Sequence, residues 1–462
     1  APVAAAAVAA EAPAVDAAAV DDAAGGEVVD AAPAEVDAAP VVDDNDPRPD
    51  PHPQPLSQGE RGARGAEEGV DVAPVAAPVA AAPVAAPAPT AEAPAATIDA
   101  AAPLGVVAEA APPPSSTPSP LKLLFFADAY ANYQSSEPGT AVPWHRAFDS
   151  AAFGSGSQNG FSLAWTGLDV SYAGTGWGAS TSLRFGPAVP QFYAADIGPV
   201  GIENILQAYV TWAPMEQLTL DLGQFGTPFG AEVAESWRNK NYTRGGLYYG
   251  MQPFWHTGAR ATALFSDNWK AVVFVANGTN NSLLAGNSPN VGAQVTYTSP
   301  TFTLAAGTLQ AIDAATNASG FDRFFDVVAT LSLDRFTAIL NADYNVNATD
   351  ALGVTGTSFG GVSLTAAYQL TDSFGMAVRG EALSDFDNAL YQVQKVDGRV
   401  DITTGTLTLD YKPIPNSSNI VLRWDNRAEW SNQAAYFDGG GNAAQLWFTS
   451  VLGLVATTDG LF

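Results

Sequence analysis

LTLDLGQFGTPFGAE (residues 218–232) joins two kinds of text. Leu218, Leu220 and Leu222 alternate with Thr219 and Asp221, the period-two pattern of a strand with one apolar face. Glycines, a proline and a glutamate follow at once. A soluble enzyme would place a phosphate-binding loop after such a strand, and a membrane barrel would place there the root of a loop that enters its pore. The phosphate reading fails on chemistry, because no glycine-rich loop in the chain is followed by Lys-Ser/Thr or opens a helix.

The same alternation runs outward from this stretch in both directions. FADAYANY sets Ala127, Ala129, Ala131 and Tyr133 against Asp128, Tyr130 and Asn132. WGASTSLRF sets Trp177, Ala179, Leu183 and Phe185 against Ser180, Ser182 and Arg184, and LQAYVTW sets Leu206, Ala208, Val210 and Trp212 against Gln207, Tyr209 and Thr211. Roughly 16 such segments occupy residues 121–462, each about 9–11 residues long and split from the next by Gly, Asn, Asp and Pro clusters, which reads as antiparallel strands. Their spacing of roughly 21 residues exceeds the turn every ~8–12 residues of a β-sandwich. Aromatic residues such as Tyr133, Tyr172, Trp177, Trp212, Trp269, Tyr297 and Tyr411 end many apolar faces, as in the interfacial girdles of a membrane barrel. Counting back by twos from Phe462 gives a largely apolar face, the expected closing strand of an outer-membrane barrel.

Composition agrees. Charged residues make up 14% of the chain and apolar residues 47%, whereas average globular chains carry about 25% charged residues. No run approaches the roughly 18–20 apolar residues of a transmembrane helix. There is no cysteine, hence no disulfide and no thiolate chemistry. Net charge is −28. Residues 1–118 hold 19 acids against three Arg, a balance of −16, and the remainder holds 28 acids against 16 bases, a balance of −12. Nucleic acid demands clustered Lys and Arg, so that partner is excluded.

Residues 1–118 are Ala, Pro, Val and acid, with almost nothing to bury. They read as a disordered, acidic, partly polyproline tether, and residues 119–462 read as the barrel. The opening APVAAAAVAA suits the region after a small-residue signal cleavage site. PHPQPLSQGERGARG (51–65) breaks the tether's composition, like a translated interspersed genomic repeat.

LDLGQFGTPFGAE, followed by NYTRGGLYYGMQPFWHTGARATALFSDNWKAVVFVANGTN, resembles the putative β-barrel porin family of Gram-negative outer membranes. The resemblance rests on Gly223 to Glu232, on Gln252 to Arg260, on Asn277-Gly278, and on Arg379, Glu381 and Asp385 in MAVRGEALSDFDN. It implies a passive channel across the outer membrane and places a loop of about 22 residues (233–254) at the pore, with Glu235, Arg238, Lys240 and Arg244. That loop either folds inward to narrow the lumen or stands outside as a solvated loop.

Other charges share the polar parity: Arg184, Asp221, Arg260, Asp326, Asp343, Arg379, Glu381, Arg423 and Asp425. A basic group facing lipid at the midplane costs about 2–4 kcal/mol, so the lumen is where such charges belong. The pore-lining or constriction candidates are Asp221, Glu232, Glu235, Arg238, Lys240, Arg244, Arg260, Arg379, Glu381, Arg423 and Asp425.

DYNVNATD (343–350) has the alternate oxygens of a calcium loop, but Ala348 replaces the required Gly and no bidentate Glu follows. His52, His145 and His256 are scattered. No metal, cofactor, nucleophile–base pair or enzymatic activity is assigned. The chain reads as all-β, a transmembrane antiparallel β-barrel of about 16 strands. It would act as an outer-membrane porin for small hydrophilic solutes, with a periplasmic N-terminal segment. The rival is a non-conducting structural or adhesive barrel whose tail engages the cell wall. Expected partners are membrane lipid and lipopolysaccharide, the barrel-assembly machinery through the last strand, the solutes, and further copies in a homo-oligomer.

Overall fold

The computed structural model describes residues 120–138, 159–189, 201–283, 289–312, 322–349, 355–388, 393, 398–414, 419–438 and 442–458. The tether (1–118), His52, His145 and Phe462 lie outside the described residues.

The alternating segments form strands β1 (Leu121–Gln134), β3 (Gly160–Gly174), β4 (Trp177–Phe185), β5 (Ile205–Met215), β6 (Leu218–Gly226) and β7 (Trp255–Leu264). The chain continues as β8 (Trp269–Ala276), β9 (Asn290–Thr298), β10 (Phe302–Ala311), β11 (Arg323–Leu333) and β12 (Phe336–Thr349). It ends with β13 (Thr355–Gln369), β14 (Phe374–Asp385), β15 (Val400–Tyr411), β16 (Ile420–Ser431) and β19 (Leu446–Thr457). Each pairs antiparallel with its neighbour in sequence, and β19 pairs with both β16 and β1, so the sixteen strands close a barrel. Closure leaves no edge whose backbone groups would lack partners in hydrocarbon. Three short strands, β2 (Ser136–Pro138), β17 (Tyr436–Asp438) and β18 (Ala443–Ala444), form a separate small sheet joining the first and last loops.

Connections differ at the two rims. At one, strands meet through short turns, such as the two residues between β3 and β4 or between β11 and β12. At the other rim the connections are longer, the longest described one throughout being residues 227–254 between β6 and β7. Both Leu121 and Thr457 sit at the short-turn rim.

The surface is inverted relative to a water-soluble protein. Val210, Trp212 and Leu222 point outward and are 57%, 59% and 70% exposed, while Asp128, Arg184, Asp425 and Glu429 point inward and are fully buried. Aromatic residues collect where the wall leaves lipid. Around the short-turn rim, Tyr172 lies 4.8 Å from Trp177, Trp269 lies 5.1 Å from Tyr297, and Phe374 stacks on Tyr411 at 4.8 Å. Exposed Tyr133, Phe185 and Trp430 mark the opposite rim. Such rings sit comfortably at headgroup level because one end is apolar and the other tolerates water.

The closed wall should resist SDS until heated, so unheated and heated samples should migrate differently on a gel. Leu222→Arg, on the outer face, should lower folding stability in lipid by about 2–4 kcal/mol. Urea unfolding in liposomes measures this, and an unchanged midpoint would mean that Leu222 does not face lipid.

Candidate functional site

The segment at residues 227–254 folds into the barrel and is tied to strands on every side of it. It leaves β6 with Pro228, whose carbonyl accepts from Gln294 on β9 (2.5 Å). Gly230 then donates its N–H to Asp326 on β11 (3.1 Å), and Ala231 donates to Asn341 on β12 (3.0 Å). Glu232 pairs with Arg379 on β14 at 2.5 Å. Crossing the interior, Glu235 pairs with Arg184 on β4 (2.5 Å), and Ser236 donates to Asp128 on β1 (2.5 Å). Arg238 pairs with Asp169 on β3 at 3.0 Å.

The return path climbs along β16. Arg423 donates to the carbonyls of Ser236, Asn239 and Lys240, and also pairs with Asp410 on β15. Asp425 accepts from the backbone N–H groups of Tyr242 and Thr243 and from the hydroxyls of Thr243 and Thr408. Arg427 donates to the Arg244 carbonyl (2.5 Å) and pairs with Glu429. A short helix, α1 (Gly246–Gly250), begins where Glu381 accepts from the Gly246 N–H (3.0 Å). Asp221 and Arg260 form a further inward pair at 2.8 Å, with the guanidinium 4.4 Å from the Phe225 ring.

All eleven residues singled out from the sequence therefore lie inside the barrel, on the loop or on the wall facing it. They do not form one cluster. Asp221 and Arg260 stand on β6 and β7, away from the group around Arg379 and from the Arg423–Asp425 stretch.

Apolar side chains fill the space around the loop. Phe229 packs edge-on against Phe324 (5.4 Å) within a cluster that includes Phe225, Phe274 and Leu309. Tyr242, Tyr248 and Trp255 join Phe126 and Trp165 on the β1–β3 side. Leu247 and Met251 of the loop pack with Leu383, Tyr436 and Trp447 beneath the small sheet. Toward the short-turn rim a small cleft open to solvent remains, with a cavity volume of about 20 Å³, room for about one water molecule. Glu232, Lys240, Asn241, Asn341, Ser363 and Thr365 line it.

Burial shapes the charges of the loop. It pushes the Glu232 carboxyl above the ordinary 4.5, which Arg379 opposes and Glu381 reinforces. Glu235 is equally buried, but Arg184 and Arg238 outweigh that and hold its carboxyl below the usual range. Burial, with Arg423 and Lys412 nearby, draws Lys240 below an ordinary lysine. Burial and the Asp128 carboxylate hold the Tyr242 phenol well above its usual value.

The glycine-rich stretch of the opening quotation is what turns the chain inward. Gly230 adopts φ +80°, and a Cβ there would run into the Gln252 side chain, whose amide donates to the Glu232 carbonyl (2.9 Å). His256 Nδ1 donates to the Gly278 carbonyl (3.1 Å), which leaves Nε2 to face the Thr227 hydroxyl at 3.2 Å. Asn280 caps the loop's exit, accepting from the Phe254 and Trp255 N–H groups. Thr227–Glu232, Gln252–Arg260 and Asn277–Gly278 are thus three parts of one lock.

Among sequence families, the one described as "Putative beta-barrel porin-2, OmpL-like" matches residues 120–457. The chain belongs to this family. No curated protein sequence matches it significantly. Solved structures with a similar course include the outer-membrane channel DcaP of Acinetobacter baumannii, 12% identical with a TM-score of 0.48, covering 73% of this chain and 97% of that one. An anion-selective porin from Comamonas acidovorans is 13% identical with a TM-score of 0.48, covering 73% and 99%. OmpF of Salmonella typhi, solved with daunomycin, is 14% identical with the same TM-score, covering 73% and 97%.

Sequence reasoning passed over several residues that hold this porin's loop. Arg427 and Glu429 share the parity of Arg423 and Asp425 in IVLRWDNRAEW, a signal available by extending the count. Asp128 stood on the polar face of β1 without a role. His256 reads in the sequence as one of three scattered histidines, and its use is structural.

Two outcomes are expected. Asp425→Ala leaves loop donors unpaired at about 1–3 kcal/mol each, so single-channel currents should grow larger and noisier while the heat-dependent gel shift persists. Glu232 is neutral below its raised pKa and negative above it, so the cleft gains a negative charge as pH climbs past that point, which burial moves above the ordinary carboxylate range. The cation-to-anion permeability ratio should rise there, and Glu232→Gln should abolish the rise. An equal step in that variant would put the titrating group elsewhere.

Proposed function

We propose that this porin passes small hydrophilic solutes and ions by passive diffusion, through a water-filled path narrowed by the loop at residues 227–254. The observation that carries the reading is the cavity between the loop and β12–β13. Its wall mixes a carboxylate, an ammonium, amides and hydroxyls, groups that replace a solute's hydration shell without binding it tightly. Asp221, Glu232, Glu235, Arg238, Lys240, Arg244, Arg260, Arg379, Glu381, Arg423 and Asp425 set the potential along that path. The mechanism involves no turnover. Each solute loses part of its hydration, meets fixed charges at the narrowing, and leaves down its gradient.

Short turns face the periplasm in bacterial outer-membrane barrels. The entry of the chain into β1 at the short-turn rim supports a periplasmic N-terminal segment, a tether of residues 1–118 ahead of the barrel at 119–462. Partners in this reading are lipid and lipopolysaccharide on the outer face, the assembly machinery at β19, and further copies of the chain.

The solid packing of Leu247, Met251 and Phe229 against the wall favours a second reading, a barrel plugged at rest. Planar-bilayer recording separates the two. Discrete conductance steps, together with swelling of liposomes in small sugars, support diffusion, and a silent bilayer with a folded protein supports the plug. The barrel portion carries −12, so reversal potentials in a KCl gradient should show a weak cation preference. It should fade in 1 M salt, where screening acts over about 3 Å. Deleting residues 1–118 should leave folding and conductance intact, and a truncated chain that fails to fold would make the tether part of the barrel.

A further inference from the structure

Asp326 on β11 and Asp343 on β12 stand directly opposite each other in the register and point inward, only 1% and 4% exposed. Their carboxyl groups are within hydrogen-bonding distance of each other. The Oδ1 atoms are served, since the Asn341 amide donates to both, at 3.1 and 2.9 Å, and Gly230 adds its N–H to Asp326. Both Oδ2 atoms are buried and have no donor among the described residues. Among the described residues, no Arg or Lys pairs with either group. One step along the same face of β12 is Asn345, fully buried, with neither its amide oxygen nor its amide nitrogen partnered among the described residues.

Two carboxylates in contact in a dry site cannot both stay ionised without compensation. A shared proton would bridge them, yet would leave one uncompensated negative charge and the Asn345 amide oxygen unused. A divalent cation balances both charges and gives that oxygen a partner. The donors are all hard oxygens, which excludes soft-metal chemistry. They come from adjacent strands and from successive inward positions on one strand. The three residues leave the rest of calcium's six to eight oxygen positions to water, an irregular shell that calcium tolerates and magnesium, with its near-ideal octahedron, does not.

We propose that Asp326, Asp343 and Asn345 bind one calcium ion against the inner wall, beneath the point where Gly230 and Ala231 dock. The site is not a calcium loop of consecutive residues but a pair of facing strands. Its role follows from its neighbours. The ion fixes both aspartates as carboxylates, so that Asp326 accepts from Gly230 while Asn341 accepts from Ala231, and the first turn of the loop is pinned to the wall. This holds whether or not the path beside it conducts.

The test uses the full chain refolded into detergent micelles without lipopolysaccharide, which itself binds calcium. Isothermal titration with CaCl2 in chelator-stripped buffer at pH 7 should show about one ion per chain, with a Kd on the order of 10⁻⁴–10⁻³ M. Calcium should raise the temperature at which the gel shift is lost, and MgCl2 should do so far less. Asp343→Asn, which removes a charge but little volume, should keep the gel shift and weaken binding about tenfold or more. Asn345→Ala should weaken it less while leaving the paired carboxylates in place. Absence of calcium binding by the unaltered chain overturns the proposal and leaves a shared proton as the bridge. Equal binding by Asp343→Asn also overturns it, by placing the ion elsewhere.

Discussion

Everything in this molecule depends on the pairing of its first strand with its last. From Phe126 opposite Thr457 to Gln134 opposite Thr449, β1 and β19 run in continuous register. Without that seam the wall would present two rows of unpaired amides to lipid, each costing several kcal/mol. With it, the wall acquires an inside and an outside, and each inward residue is removed from lipid and, in large part, from bulk water. A chain with only 14% charged residues can then concentrate its ions where they meet one another.

The interior that results is not simply a wet tube. Buried ion pairs gain little by themselves, because desolvation offsets most of the attraction. Their value here lies in position. Arg184, Arg379, Arg423 and Arg427 each spend donors on the loop, on its carboxylates or its carbonyls. The loop has hardly any regular structure of its own, so its backbone polar groups would otherwise be orphaned. The wall therefore supplies the hydrogen bonds that a helix or sheet would normally provide. The three apolar clusters then exclude water from those bonds and strengthen them.

Strand number, wall parity and the girdles were legible in the sequence, because a period of two survives in every segment and lipid enforces it on one face. The direction of the loop was not. Residues 233–254 carry no period, and their partners lie far away along the chain, as Lys240 does from Arg423 at a separation of 183 residues. Asp221 and Arg260 were legible as inward by parity, but their pairing required the β6–β7 register. The glycine-rich turn announced that something unusual happens after β6. Only the positions of Asp326, Asn341 and Gln252 say what it is.

The order of charges along β16 has a consequence for how strands find their places. Hydrophobicity alone detects a slip of one residue, which turns a strand inside out, but a slip of two preserves every inside and outside and passes unnoticed. On β16 the inward positions read plus, minus, plus, minus, at Arg423, Asp425, Arg427 and Glu429. A slip of two would bring an arginine to the amides of Tyr242 and Thr243, and an aspartate to the carbonyls now held by Arg423. Those contacts would then set like against like. The strand behaves as a notched key, and the inserted loop is the set of wards that only one alignment clears.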